Sequence, residues 1–274
     1  MIIVYPYKIG SKSAKLLKEK IISKGVNCLR VFPNKKYKYK PQHLVVNWGS
    51  SVVPKWFNTP YEIKILNNVA CLNKVINKLN FFNLLKSKGL ASFIPPYTTS
   101  KEEARLFLQD SVVYCRSLLQ GSHGEGIIIA KDEDEIVDAP LYVKGVNVLH
   151  EIRVHVIKGK VVLVQEKRKK RGVQANRFIR SNTRGWVFCK NKCVMNPDAD
   201  NIFSSEITDR VYTVVNNLHN QLKYILDFYC IDLVVEKETQ KVYVLEINTA
   251  VGLTPSTADI YADNFINLYN ELEV

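Results

Sequence analysis

The glycine-rich stretch Gly121-Ser122-His123-Gly124-Glu125-Gly126 lies between two short apolar runs, Val112 to Arg116 and Ile127 to Ala130. Runs rich in β-branched residues, bounded by turn residues, read as strands. The segment therefore predicts strand, glycine loop, strand. Dinucleotide-binding and P-loop folds place their glycine loop at the start of a helix, so this order excludes both. Gly121, Gly124 and Gly126 let backbone N–H groups approach an anion closely, and Ser122 adds a hydroxyl donor. A hairpin turn uses the same residues without any ligand. Arg116 stands just before the loop, placed either to hold phosphates or to remain an exposed charge.

The remaining pattern is mixed. Ile2 to Tyr5, Val26 to Val31 and Leu44 to Val46 read as strands, with a helix through Ala14, Leu16, Leu17, Ile21 and Ile22 that Gly25 stops. This predicts a small α/β domain over residues 1–70. The turn Asn47 to Ser51 is a substrate-site candidate because such sheets bind ligands at strand ends, although a simple polar turn explains it equally. Helical spacing runs from Asn73 to Lys88, from Lys101 to Gln109 and from Ser204 to Tyr229, with a terminal helix over Ala258 to Leu272. Leu141 to Lys144, Glu151 to Ile157, Lys160 to Gln165, Ile231 to Glu236 and Val242 to Asn248 read as strands. Glu166 to Asn182 is polar and long enough for a mobile loop or lid. The fold class is α/β (α+β), divided at 1–70, 71–142 and 143–274.

The last two strands carry the chemistry. Residues i and i+2 of a strand point to one face, so Glu246 and Asn248 project together. With the hairpin turn centred on Thr239, Asp232 lies opposite Glu246, about 5 Å away between Cβ atoms. Like charges opposed in a sheet are destabilising unless a cation sits between them. Two carboxylates and an amide oxygen suit Mg²⁺, which leaves positions for water and phosphate oxygens. The competing explanation is three polar residues on a solvated sheet face.

Composition narrows the partners. The 274 residues are 46% hydrophobic and 24% charged, as in ordinary globular proteins. No apolar run approaches the roughly 20 residues that span a bilayer, and the N-terminus lacks the pattern of a signal peptide. A soluble, cytoplasmic chain is expected. Cys28, Cys71, Cys115, Cys189, Cys193 and Cys230 are scattered; reduced structural thiols fit better than a zinc site. His43, His123, His150, His155 and His219 show no metal spacing. The formal net charge of +13 favours anionic partners. The excess is lysine, spread along a chain rich in Asn and Ile, the bias of an AT-rich genome such as that of a phage. Lys167-Arg168-Lys169-Lys170-Arg171 is first a solvated loop, second a recruiter of acidic substrate, third a nucleic-acid contact.

From Asn73 to the C-terminus the order of these pieces resembles the ATP-grasp superfamily, and within it the ribosomal-protein glutamate ligases and phage-encoded members. Asn77-Lys78-Leu79 is similar to the helix whose lysine contacts ATP. Arg116 replaces the usual phosphate-binding lysine, keeping the charge but exchanging a point charge for a planar fork. Tyr142, Val143 and Lys144 fall on the hinge strand that receives adenine through backbone groups, where the family's usual glutamate is missing. Glu151-Ile152-Arg153-Val154 matches a segment whose acid binds ribose and whose arginine lies near the reacting phosphate. Arg180-Ser181-Asn182 matches a segment beside the triphosphate. Asp232, Glu246 and Asn248 match the metal ligands, with Gly252 in the following turn. The resemblance implies ATP with Mg²⁺, or Mn²⁺ in its place, and Arg153, Arg180 and Asn182 as catalytic residues. It implies an ADP-forming ligase that joins a carboxylate, through an acyl phosphate, to an amine of a peptide, protein or other acceptor. A carboxylate kinase that stops at the acyl phosphate is a second outcome. A catalytically inactive nucleotide- or nucleic-acid-binding module is the alternative from a different class.

Overall fold

A computed structural model describes residues 1–121, 124–190 and 204–272. Three sheets are built in chain order. The first is parallel, with strands β1 (Ile2–Pro6), β2 (Cys28–Arg30), β3 (Leu44–Trp48) and β4 (Ile65–Leu66) in the order β2-β1-β3-β4. Helix α1 (Lys12–Ser23) begins where the Ser11 hydroxyl accepts from the N–H of Ala14, and it buries Ala14, Leu17 and Ile21.

Helices α2 (Val69–Ile76) and α3 (Lys78–Ser87) lead to the second sheet. Its strands are β5 (Tyr97–Thr98), β6 (Val113–Arg116), β7 (Ile127–Ala130) and β8 (Leu141–Lys144), ordered β5-β8-β6-β7, with α4 (Lys101–Phe107) between β5 and β6. The single helix expected over 73–88 is two. Asn77 takes an extended backbone (φ −86°, ψ 123°) and caps α3 by accepting from the N–H of Asn80. The break makes Lys78 the first residue of a helix, with its N–H bound to the carbonyl of Leu119.

The third sheet is antiparallel: β9 (Val148–Ile157), β10 (Lys160–Lys169), β11 (Trp186–Lys190), β12 (Phe228–Glu236) and β13 (Val242–Asn248), ordered β11-β10-β9-β12-β13. Two further expectations are corrected here. The lid expected from Glu166 begins as sheet, because β10 continues to Lys169 paired with β11. The helix expected to reach Tyr229 is α5 (Ser205–Leu222), and Phe228 and Tyr229 already belong to β12.

Alternation divides this sheet. Ile152, Val154, Ile231, Leu233 and Val235 point to the face covered by Val211, Val214, Val215 and Leu218 of α5. The opposite face carries Glu151, Arg153 and Asp232. The final helix α6 (Pro255–Asn270) packs beside α1, and Tyr261 and Phe265 join Trp48 and Phe228 in a second core that ties the first sheet to the third. No described helix is long and apolar enough to cross a membrane.

Asn67 fastens the same junction. It sits at φ 62°, a left-handed backbone that asparagine tolerates better than most residues. Its Nδ2 donates to Phe228 O at 2.7 Å, and its Oδ1 accepts from the N–H groups of Asp227 and Phe228 at 2.7 and 3.2 Å. Asn67→Ala strands these buried partners and is expected to cost about 2–3 kcal/mol. Urea denaturation checks this, and a loss under about 0.5 kcal/mol would show that the junction does not depend on the side chain.

Candidate functional site

A cavity of about 1350 Å³ is bordered by the second sheet, the polar face of the third sheet, and the turn from β1 into α1. Its floor is one cross-strand row. Glu246 on β13 pairs in register with Asp232 on β12, Asp232 with Arg153 on β9, and Arg153 with Gln165 on β10. The expected opposition of Asp232 and Glu246 is therefore present. A bulge between Asp232 and Leu233 takes Leu245 out of the ladder. The carbonyl of Leu245 accepts from the Lys78 ammonium at 2.8 Å.

The charges on this floor are mutually balanced. Arg153 donates through Nε and Nη2 to both oxygens of Asp232, at 2.6 and 2.7 Å. Its guanidinium also lies over the Phe188 ring, 4.0 Å from the centroid. Burial alone would lower its pKa, but Asp232 outweighs burial and raises it. Lys78 donates to Glu246 Oε2 at 3.0 Å, and the Asn248 amide donates to Glu246 Oε1 at 3.1 Å and Asp232 Oδ2 at 3.4 Å. Burial would raise the Glu246 carboxyl, yet Lys78, Asn248 and Arg116 together hold it well below the usual carboxylate range. Burial and the neighbouring Arg116 push Lys78 down to about 8.

Arg116, at the end of β6, faces the cavity from the opposite sheet, and its buried Nε has no partner among the described residues. Burial lowers its pKa and Glu246 offsets part of that effect. A buried guanidinium N–H without a partner is rare in folded proteins.

The other expected residues divide. Gly121, Gly124, Val143, Lys144, Glu151, Arg180, Ser181 and Asn182 border the same cavity. Gly126 and the Tyr142 side chain do not. Gly126 (φ 67°) packs against Leu118, whose Cγ would lie 2.7 Å from an added Cβ. The Tyr142 hydroxyl is spent inside the small sheet, donating to Val137 O and accepting from Ala139 N–H. Ser122, His123 and Cys193 lie outside the described residues. The Asn47 turn is a buried lock: its amide bonds Ser50 and Asn67, and neither Asn47 nor Ser50 borders the cavity.

Sequence reasoning missed Lys167, Phe188, Trp186 and Gln165. Lys167 was expected in a solvated loop. It is a strand residue with a largely buried side chain, paired with Glu151 and donating to Arg180 O at 2.7 Å. Despite that partner, burial raises the Glu151 carboxyl. The Arg180 guanidinium lies over Trp186, 4.7 Å from its centroid. The signal was period-two alternation continuing past Gln165: Gln165 and Lys167 fall on the face that Arg153 shares.

Among the described residues no three His, Cys, Asp or Glu side chains come together as a metal cluster. The candidate centre is thus two carboxylates with an amide as third donor. No family model and no curated protein matches the chain. Solved structures do. A D-alanine–D-alanine ligase from Bacillus anthracis is 14% identical, over 99% of this chain and 96% of its own, with a TM-score of 0.66. The ATP-grasp ligase PsnB, solved with a precursor, Mg and ADP, is 12% identical over 98% of both chains, TM-score 0.64. The macrocyclase MdnC from Microcystis aeruginosa, bound to its precursor peptide MdnA, is 13% identical over 98% and 100%, TM-score 0.61. The chain has the ATP-grasp fold.

Removing one partner of a buried pair leaves an uncompensated charge. Arg153→Leu is expected to lower stability by about 3–5 kcal/mol, and Asp232→Asn added to it to restore at least about 2. Denaturant titration of both variants checks this. A double variant no more stable than the single one would mean that the pair is not what holds the floor.

Proposed function

We propose that this protein is an ATP-dependent, ADP-forming carboxylate–amine ligase. The observation that carries the reading is the floor itself: Asp232, Glu246 and Asn248 converge at one end of a cavity that Arg116 and Lys78 enter. In an ATP-grasp fold this arrangement supports a site where acidic metal ligands and cations share one anionic substrate.

The donors fit Mg²⁺, a hard cation that prefers carboxylate and amide oxygens and keeps places for phosphate oxygens. Asp232, Glu246 and Asn248 would hold it, and bound there it would offset charge on the phosphates. Lys78 and Arg116 hold the triphosphate; Val143 and Lys144 border the adenine end, and Glu151 with Lys167 the ribose. Arg153, Arg180 and Asn182 are proposed as the catalytic set. Arg153 is kept rigid by Asp232 and Phe188, so its charge is pre-aimed rather than reorganised during reaction.

A carboxylate oxygen attacks the γ-phosphorus; a P–O bond forms and the bond to the β-phosphate oxygen breaks, releasing ADP. An amine then attacks the acyl carbon. The C–N bond forms, the C–O bond to phosphate breaks, inorganic phosphate leaves and the amine gives up a proton to solvent. No side-chain nucleophile is needed, so catalysis is positioning and electrostatics. PsnB and MdnC were solved with precursor peptides, which supports a peptide as one substrate of this chain. The basic balance of the chain supports an acidic one.

The test replaces the unknown amine by hydroxylamine and screens a panel of carboxylates with Mg-ATP. ADP and a hydroxamate are expected together. Glu246→Ala should abolish both, and Arg116→Ala should slow them by about 100-fold or more. AMP as product would sink the acyl-phosphate mechanism. Tight Mg-ATP binding without turnover on any carboxylate or peptide would favour an inactive nucleotide-binding module.

A further inference from the structure

Beside the floor row, on the same face of the sheet, lies a polar cluster that the mechanism above does not use. His155 is fully buried on β9. Its Nε2 meets Gln165 Oε1 at 2.8 Å, and its Nδ1 meets the Tyr261 hydroxyl at 3.0 Å and Cys230 Sγ at 3.0 Å. Tyr261 and Cys230 are themselves 3.2 Å apart. An amide oxygen only accepts, so Nε2 carries the proton and Nδ1 accepts from the hydroxyl or thiol. Burial keeps the ring neutral, with its pKa near 3. With Oε1 engaged by His155, the amide nitrogen is the remaining polar end of a side chain that borders the cavity.

Gln165 closes the floor row. Of the four members, Glu246 is engaged by Lys78 and Asn248, and Asp232 and Arg153 by each other. The Gln165 amide nitrogen has no hydrogen-bond partner among the described residues. Strands in a sheet are about 4.8 Å apart, so Gln165 stands roughly 10 Å from Asp232, on the far side of Arg153. The cations Lys78 and Arg116 gather at the other end. On the ligase reading, which assigns those two to the triphosphate, an oxygen ligand at Gln165 is the other substrate.

We propose that Gln165 is the neutral donor that seats the carboxylate substrate beside Arg153, and that His155 is a positioning residue that aims its amide. The assignment rests on the ligase reading. When a carboxylate becomes an acyl phosphate, its second oxygen changes from a carboxylate oxygen to a carbonyl oxygen. Attack by the amine then makes that oxygen an oxyanion. A neutral N–H serves all three states, whereas a further cation would hold the starting carboxylate most tightly and deepen the ground state. A donor already oriented by a buried imidazole costs no reorganisation as charge develops.

The experiment uses the full chain, Mg-ATP, hydroxylamine and whichever carboxylate of the panel yields most hydroxamate. Gln165→Leu and Gln165→Glu are each expected to lower kcat/KM for the carboxylate by about 100-fold, with the Kd for Mg-ADP by calorimetry unchanged within about twofold. The glutamate variant keeps an acceptor for His155 and so guards against a simple folding failure. His155→Leu should reproduce part of the loss, and His155→Gln, which retains an N–H donor, should recover it. Carboxylate kinetics unchanged in both Gln165 variants would overturn the proposal. A parallel loss of Mg-ADP affinity would overturn it in favour of a structural role, and a His155→Leu enzyme with normal kinetics would remove the positioning part. A wild-type chain that yields ADP but no hydroxamate, or neither, contradicts the ligase reading and the inference with it.

Discussion

The bidentate pair between Arg153 and Asp232 is the contact on which the rest of this structure depends. Two opposed carboxylates on neighbouring strands would repel, and removing them from water is costly. The fold accepts them because Arg153 occupies the next position in the same row and Lys78 enters from a separate helix. Each cation is itself held: Arg153 by the Phe188 ring and Lys78 by the carbonyl that the β13 bulge releases. The polar floor is therefore held by contacts of its own, with a hydrophobic layer of α5 and sheet beneath it.

Two parts of the chain enclose that floor. The second sheet carries Arg116, and the residues after it bring Gly121 and Gly124 to the cavity, Gly124 lying close against Ile179. An added Cβ there would lie 2.4 Å from Ile179 Cγ2. The first sheet contributes the turn from β1 into α1 and is fixed to the third through Trp48, Phe228, Tyr261 and Asn67. Tyr261 serves two purposes, since its ring packs in that junction while its hydroxyl reaches His155 beside the floor row. One residue of α6 thus touches both the junction and the side chains beside the floor.

Much of this was legible in the residue order. The strand–loop–strand at 112–130 and the register of Asp232 with Glu246 followed from alternation and turn chemistry, because both are local. What could not be read depends on contacts far apart in sequence. Asn77 breaks a helix whose apolar spacing is continuous, since its side chain satisfies the next helix's first turn. Lys167 lies in a run of five basic residues that looks solvated, and only pairing with β11 and Glu151 shows it to be interior. The Gln165–His155–Tyr261 relay joins three elements, and no local pattern encodes it.

The most direct test of a metal–nucleotide centre on this row is Mn²⁺ binding followed by electron paramagnetic resonance, with and without ADP. The account predicts that ADP raises Mn²⁺ affinity sharply, because phosphate oxygens complete a set of ligands that Asp232, Glu246 and Asn248 begin, and that Glu246→Gln removes the effect. Mn²⁺ bound equally well without nucleotide, or undiminished in Glu246→Gln, would contradict it.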